Sequence, residues 1–336
     1  MQLADTLSRQ YLRFAEAEAH GRSPLYENLA RNIATDENTI DFLITLPQEK
    51  RQPNLLLAAV RHLFGTPRNW SHFRTNLLAN TETVRAFMLT HATQTNEPAR
   101  CATLLPILAQ LPQPLALIEV GASAGLCLLP DHYGYDYGGQ PILPERTGTK
   151  HPIFTCTTNT TTPLPKTMPR IAWRAGLDLN PIDAANPSQT AWLHTLVWPE
   201  QTTRLANLKA ALDIAAAHKP NIVKADLQGN ALADLCREAP TNATRVIFHT
   251  AVVAYVEDAN ERQAFADRAI SLCDYWISNE SSGVFPDIAR RAERPGKPGQ
   301  FLLSVNAIPI AWTDPHGSTL DWIATNSWRT PNPKAR

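Results

Sequence analysis

The sequence predicts an α/β protein with an all-helical region over residues 1–112 and a mostly parallel sheet over residues 113–336. Before residue 112, apolar residues recur every three or four positions, as at Leu3, Leu7, Tyr11 and Phe14, and this is the period of an amphipathic helix. Beyond it, short apolar runs alternate with helical stretches, a pattern typical of a parallel βαβ sheet. Pro112-Gln113-Pro114 punctuates the change and predicts the boundary.

Local signals delimit the helices of the first region. Pro53 stands where a first helical turn accepts proline, and Gly65 follows the apolar run 54–64, as at a helix end. The spacing predicts further helices over about 81–91 and 98–111. We expect no strand before residue 112.

The strands of the second region are predicted from six apolar runs that end on Gly, Asp or Pro, or lead into polar residues. A Gly-, Thr- and Pro-rich tract at about 130–170 has neither helical nor strand period and is interpreted as an irregular excursion. At the end of the chain, Asp314-Pro315-His316-Gly317 predicts the turn of an antiparallel hairpin between 308–312 and 320–323. The six runs are 115–120, 171–179, 222–225, 245–249, 276–278 and 301–305.

Composition limits the function classes. Lys and Arg total 31, as do Asp and Glu, so no long-range field favours nucleic acid. The chain has no apolar stretch of about 18 residues and no leader pattern at its start, so we predict a cytoplasmic protein without a membrane partner. Its five cysteines are scattered singly, without the paired spacing of a zinc site, and no metal is predicted.

The sharpest local signal is the small-residue turn from Gly121 to Gly125, which follows the first predicted strand and in which a helix is expected to begin. Glycines there leave room for a ligand at a helix N-terminus, where free N–H groups favour an electron-rich partner. Gly121-x-Ser123-x-Gly125 also satisfies the nucleophile-elbow pattern of α/β-hydrolases, with Ser123 as the nucleophile. A tight turn without any ligand is the third interpretation.

Position in the sheet separates these interpretations. A hydrolase elbow normally follows several strands, whereas this turn follows the first one. A hydrolase would also need an acid and a histidine, for which Asp226 with His249 or Asp287 with His316 are available. A dinucleotide fingerprint would require a glycine where Ser123 stands.

Carboxylates close the next two predicted strands. Asp178 follows the second strand, where an acidic residue can accept hydrogen bonds from a ribose, and Asp226 follows the third. Taken singly, Asp178 could be a local cap before Pro181, and Asp226 a helix N-cap. Taken together with the glycine turn, they favour a nucleotide-like cofactor.

These residues resemble the class I methyltransferases: Glu119-Val-Gly-x-Ser-x-Gly125 is similar to their first motif, and Gly176-Leu-Asp178-Leu-Asn-Pro to their second. The resemblance covers about residues 113–330 and implies a Rossmann-like, methyltransferase-type sheet that binds S-adenosylmethionine. Glu119, Gly121, Ser123, Gly125, Asp178 and Asp226 would contact that cofactor. The chain departs from the pattern at Ser123, where glycine is common, and in the long interval before Asp178.

Over nearly its whole length the chain also resembles the bacterial family known as domain of unknown function 2332. The similarity lies in Gly21-Arg-Ser-Pro-Leu-Tyr, Gln94-Thr-Asn-Glu-Pro-Ala-Arg100, the 119–125 turn followed by Leu-Cys-Leu-Leu-Pro-Asp131, and Asp314-Pro-His-Gly317. It implies the same architecture without an assigned substrate.

We therefore predict an S-adenosylmethionine-dependent methyltransferase, or a methyltransferase-like protein, that acts on an unidentified small molecule. His249 is the predicted base and Glu280 its substitute, because both close later strands near the expected methyl group. Gln94, Asn96, Glu97 and Arg100 are predicted to form the substrate side of the cleft, or else an ordinary helix start. The alternatives are a serine esterase that uses Ser123 and a cofactor-binding protein without catalysis.

Overall fold

The computed structural model describes residues 2–94, 96–145, 151–324 and 326–332. It divides into two compact units, the first made of residues 1–95 and 187–206 and the second of residues 96–186 and 207–336. This division falls before the predicted boundary at residue 112, because the buried segment 101–108 groups with the sheet.

The first unit is helical, and the apolar residues that recur every three or four positions in its sequence form its core. Leu7, Tyr11, Leu29 and Ile33 line the buried sides of their helices, and Ser23 caps the second helix by accepting a hydrogen bond from the Tyr26 N–H. The helices before residue 95 are α1 (Gln2–Arg13, continued by a π-helix over Phe14–Ala19), α2 (Pro24–Ile33), α3 (Glu37–Ile44), α4 (Pro53–Phe64), α5 (Trp70–Ala79) and α6 (Thr81–Thr90).

The second unit alternates strands and helices. It is interrupted in sequence by residues 187–206, which contain helix α8 and belong to the first unit. In order, the elements after residue 95 are α7 (Cys101–Leu108), β1 (Leu115–Val120), β2 (Gly134–Asp136), β3 (Ile153–Thr155), β4 (Thr157–Thr158), β5 (Ile171–Asp178), α8 (Pro187–Leu196), α9 (Thr202–His218), β6 (Asn221–Lys224), α10 (Ala231–Glu238), β7 (Thr244–Thr250), α11 (Ala259–Leu272), β8 (Tyr275–Ser281), α12 (Pro286–Ala289), β9 (Phe301–Val305), β10 (Ile308–Thr313) and β11 (Thr319–Trp322).

The main sheet has the strand order β4-β11-β10-β9-β8-β7-β1-β5-β6. Strands β6, β5, β1, β7 and β8 are parallel, and β9, β10 and β11 continue the sheet with antiparallel pairing. The predicted α/β class, with a mostly parallel sheet, a C-terminal antiparallel hairpin and helices before it, is confirmed. The parallel part has the doubly wound order 3-2-1-4-5, whose connections change direction between β1 and β7.

Two local expectations need correction. No α-helix begins at Gly125: residues Leu126–Leu128 and Pro130–His132 form single 3₁₀ turns, because Pro130 cannot continue a helix that starts so few residues earlier. The tract at 130–170 is also not wholly irregular, since β2 pairs with β3 in a small parallel sheet and β4 pairs with β11.

Apolar side chains from both sides of the sheet are buried. Ile118, Val120, Ile247 and Trp276 lie on one face with residues of α10 and α11, and the residues of α7 are buried throughout. Among the described residues, none of the helices is long and apolar enough to cross a membrane.

Candidate functional site

The glycine turn after β1 adopts left-handed backbone conformations at three positions, with φ of +75° at Gly121, +47° at Ser123 and +71° at Gly125. A Cβ on Gly121 would lie 2.3 Å from Val252 Cγ2, and one on Gly125 would lie 2.6 Å from Pro220 Cγ. The protein's own chain therefore approaches both glycines closely. Their small size is explained by this packing without a ligand.

All five backbone N–H groups of the turn 121–125 donate to acceptors within the protein. No α-helix follows to supply further free donors, so the predicted anion-type site at a helix N-terminus is not formed. The donors and acceptors are Gly121 and Ala122 to the Leu177 carbonyl, Ser123 to Asp178 Oδ2, Ala124 to Asn96 Oδ1, and Gly125 to the Ala122 carbonyl.

Asp178 is half-buried at the end of β5 and holds the turn. Its Oδ2 accepts from the Ser123 N–H at 2.8 Å, and its Oδ1 accepts from the Asn180 N–H at 2.7 Å. Each carboxylate oxygen has a second lone pair, so Asp178 can still accept hydrogen bonds from a ligand. Asp226 is exposed at the end of β6, and its Oδ1 accepts from the Gln228 N–H.

The segment 96–100 connects three loops of the second unit. Asn96 donates from Nδ2 to Ser123 Oγ at 2.9 Å. The buried Arg100 donates from Nη1 to the Thr250 carbonyl at 3.0 Å and from Nε to the Pro315 carbonyl at 2.8 Å. The segment thereby ties the glycine turn to the end of β7 and to the β10–β11 turn.

The β10–β11 turn packs closely against the same segment. A Cβ on Gly317 would lie 2.2 Å from the Ala99 carbonyl oxygen, and His316 Nδ1 lies 3.4 Å from Glu97 Oε2. The segment 96–100 and the motifs at 119–125 and 314–317 therefore meet at the carboxyl ends of β1 and β7.

Glu119 lies under this meeting point and is 4% exposed. Its Oε2 has no hydrogen-bond partner. Burial raises the pKa of the Glu119 carboxyl well above its usual range, Cys127 and Asp178 raise it further, and the nearby Arg100 guanidinium opposes the rise. A buried acceptor without a partner is costly, and it marks the place where a donor from a ligand would be stabilised.

A second buried group without a partner stands on the same face of the sheet. Asn279 on β8 accepts from Thr313 Oγ1 through its Oδ1 at 2.8 Å, but its Nδ2 has no partner. Asn279 is the register neighbour of Thr250. We use the name strand-end cluster for the polar side chains in this region, namely Asn96, Glu97, Arg100, Glu119, Thr250, Asn279 and His316.

His249 and Glu280 lie on the other face of the sheet. His249 is the register neighbour of Val120, and successive residues of a strand alternate between faces. His249 is fully buried beside the rings of Phe265, Trp276 and Phe285. The structure pairs the two predicted catalytic residues with each other but does not bring them to the strand-end cluster.

The His249–Glu280 pair holds the loop that follows β7. Glu280 Oε1 lies 2.7 Å from His249 Nδ1 and also accepts from the N–H groups of Val252 and Val253. The loop contains Ala251 at a φ of +56° and carries Val252 against Gly121. The arrangement supports a positioning role for the pair.

Of the predicted substrate residues, Asn96, Glu97 and Arg100 are in the second unit with the cluster, whereas Gln94 is in the first. Sequence reasoning did not single out Thr250 or Asn279 as site residues, although each stands next to a predicted residue, His249 or Glu280. His316 was noted within its motif and as a hydrolase candidate. The face that each side chain occupies was the missing information.

Chemically, the cluster is rich in acceptors and titratable groups. Ser123 Oγ accepts from the Asn96 amide, and an amide cannot take a proton from a nucleophilic serine. In the part of the chain that the structure describes, no three His, Cys, Asp or Glu side chains come together as a metal site would require.

Comparison with known proteins gives one match. The family described as "Uncharacterized protein conserved in bacteria (DUF2332)" matches residues 8–322, so the chain belongs to this family. No curated protein and no solved structure matches the chain.

Proposed function

We propose that this member of the domain of unknown function 2332 family binds S-adenosylmethionine at the carboxyl ends of β1, β5 and β6 and transfers a methyl group to a small molecule. The observation that carries the proposal is the doubly wound strand order with carboxylates at three successive strand ends, Glu119, Asp178 and Asp226. In open α/β sheets, ligands bind outside the carboxyl ends of the strands where the connections change direction.

The residues fit the hydrogen-bonding character of this cofactor. Its ammonium, ribose hydroxyls and adenine amine are donors, and the chain offers acceptors because the N–H groups of the turn are already bonded. Glu119, whose buried Oε2 has no partner, would hold the ammonium, Asp178 the ribose hydroxyls and Asp226 the adenine amine. When bound, S-adenosylmethionine supplies an electrophilic methyl group.

The protein's own groups would orient the acceptor at the strand-end cluster. Arg100 and Asn96 fix the surrounding loops through hydrogen bonds, and holding the reactants in line is the main requirement of a methyl transfer. His249 and Glu280 contribute by fixing the loop after β7. We place the reaction in the cytoplasm, in keeping with five unpaired, buried cysteines.

Calorimetric titration with S-adenosylmethionine and S-adenosylhomocysteine tests the proposal. We expect one site per chain in the wild type and, in Asp178→Asn, binding weakened about tenfold, or 1.4 kcal/mol. Asp234→Asn is the matched control, because Asp234 is exposed on α10 beside Arg237. Absence of binding by the wild type would overturn the proposal, and labelling of Ser123 by a fluorophosphonate, lost in Ser123→Ala, would favour the esterase instead.

A further inference from the structure

The β10–β11 turn holds a histidine with one buried and one accessible edge. Nδ1 of His316 is buried, whereas its side chain as a whole is 39% exposed, so the exposed part of the ring is the edge that carries Nε2. His249, by contrast, has no exposed part. A ligand in solution can therefore reach His316, which belongs to the strand-end cluster, but not His249.

A buried carboxylate stands behind the inner edge of the ring. Glu97 Oε2 lies 3.4 Å from His316 Nδ1, and the Glu97 side chain is 4% exposed. This separation exceeds that of a formed hydrogen bond, but catalytic hydrogen bonds in ligand-free sites are often long and tighten when the substrate binds. A carboxylate at Nδ1 keeps the proton on that nitrogen and leaves Nε2 as the basic atom.

The turn itself is built to fix the imidazole. Asp314 Oδ1 accepts from the His316 N–H at 2.9 Å, and the Asp314 carbonyl accepts from the Gly317 N–H. Arg100 binds the Pro315 carbonyl at 2.8 Å. Among the described residues, these contacts place Glu97 and Arg100 from the segment 96–100, and Asp314 from its own turn, near His316.

From this geometry we propose that Glu97 and His316 form the acid–base pair of the site, with Glu97 as a positioning residue and His316 Nε2 as the base. The inference rests on the proposed function for the identity of the methyl donor. A base is needed only when the acceptor must lose a proton during attack, so the pair assigns the acceptor to hydroxyl-bearing small molecules. In such a transfer, His316 Nε2 would take the hydroxyl proton while the acceptor oxygen forms its bond to the methyl carbon, and the electrons of the broken carbon–sulfur bond would remain on sulfur.

The first test needs no ligand. ¹⁵N-histidine spectra are recorded under conditions in which the imidazole is neutral, and the His316 signal is identified by its loss in His316→Asn. We expect His316 to carry its proton on Nδ1 in the wild type and on Nε2 in Glu97→Ala. His20, which lies 3.1 Å from Glu27 at the exposed surface of the first unit, is the matched control and should not change. An Nε2–H tautomer in the wild type would overturn the pair.

A second variant covers the case in which Glu97→Ala does not fold. Glu97→Gln keeps the shape of the side chain and removes its charge. We expect diethyl pyrocarbonate to modify His316 Nε2 about tenfold more slowly than in the wild type, since a neutral amide holds the proton on Nδ1 less strongly than a carboxylate does. Modification of His20 should be unchanged. Equal rates at His316 in the two proteins would contradict a positioning role for Glu97.

The acceptor class is tested with radiolabelled S-adenosylmethionine and a panel of alcohols and phenols. Turnover in His316→Asn should fall about 10²- to 10⁴-fold while calorimetric cofactor binding is retained. Absence of wild-type turnover on every panel member would overturn the hydroxyl assignment. Failure of cofactor binding would instead refute the proposed function, and the tautomer and modification results would still stand.

Discussion

At the scale of single residues, Gly317 shows how a motif residue serves the site. Its φ is +81°, and a Cβ there would meet the Ala99 carbonyl oxygen at 2.2 Å. Gly299 has a φ of +83° with nothing within 4 Å of the same position. An alanine at either position would have the same left-handed backbone strain, but only at Gly317 would its Cβ meet another part of the chain. Comparing the two substitutions therefore isolates the packing of the β10–β11 turn against the segment 96–100.

We predict that Gly317→Ala lowers the free energy of unfolding by about 1–3 kcal/mol more than Gly299→Ala, because overpacking against backbone adds to the strain that both share. Urea unfolding of the two variants measures the difference. Equal destabilisation would mean that the turn does not pack against Ala99 as tightly as the structure shows.

Glu119 provides a second prediction at this scale, concerning pH. Burial raises the pKa of its carboxyl well above the usual range, so the folded state binds the proton more tightly than the unfolded state. The resulting stabilisation is present below the unfolded pKa and is lost as pH rises through the folded pKa. Glu119→Gln stays neutral and should escape this loss.

The free energy of unfolding should therefore fall more between about pH 5 and about pH 8 in the wild type than in Glu119→Gln. Glu82→Gln is the control, because the Glu82 side chain on α6 is 85% exposed; its pH dependence should follow that of the wild type. A wild-type profile unchanged by Glu119→Gln would show that Glu119 is ionised without penalty.

At the scale of elements, the sequence predicted the strands from β5 onward and β1, because each of these contains an apolar run that ends in a breaker or in polar residues. It missed the short strands β2, β3 and β4, which lie in the tract interpreted as irregular. It was less informative where elements meet. The helix expected after the glycine turn could have been excluded from Pro130, which stands too close to Gly125 for more than one helical turn. The reason for the glycines could not be read locally, since Val252 and Pro220, which approach them, are distant in the chain.

The contact between the glycine turn and the loop after β7 is testable as a coupling. A Cβ on Gly121 would meet Val252 Cγ2 at 2.3 Å and Val252 Cβ at 2.7 Å, so Gly121→Ala should destabilise the protein. Val252→Ala in the same chain should relieve the part of the loss that comes from the Val252 methyl groups, whereas the Cβ contact and the strain at a φ of +75° remain. We expect a coupling free energy of about 0.5–3 kcal/mol in a double-mutant cycle.

Val305→Ala supplies the control cycle, because Val305 is buried on β9, three strands away from β1 in the sheet. Its effect should add to that of Gly121→Ala without coupling. If Val252→Ala gives no relief, the methyl groups of Val252 do not set the small size of Gly121.

At the scale of the whole molecule, two features were beyond local patterns. The placement of His249 and Glu280 on the face opposite Glu119 depends on strand register, and a shift by one residue would reverse it. The grouping of residues 187–206 with the N-terminal helices depends on which apolar faces meet. Periodicity indicates that a helix has an apolar face but does not identify what covers it.

The discontinuous first unit leads to a prediction about truncation. Trp192 on α8 is 5% exposed within the core of that unit. Its ring packs against those of His62, Phe87 and His91, and its Nε1 donates to the Ala92 carbonyl at 3.0 Å. A chain that begins at residue 96 would retain Trp192 and lose all of these partners.

We therefore expect residues 96–336 alone to expose an apolar patch and to aggregate or bind a hydrophobic dye. The same chain with 187–206 replaced by a flexible Gly/Ser linker of about ten residues should be monomeric and unfold cooperatively, because the contacts within the second unit are retained. Gel filtration and circular dichroism melting compare the two. Aggregation of both proteins would show that the second unit depends on the first for its stability, whereas good behaviour of both would show that Trp192 and its neighbours do not need the N-terminal helices to be covered.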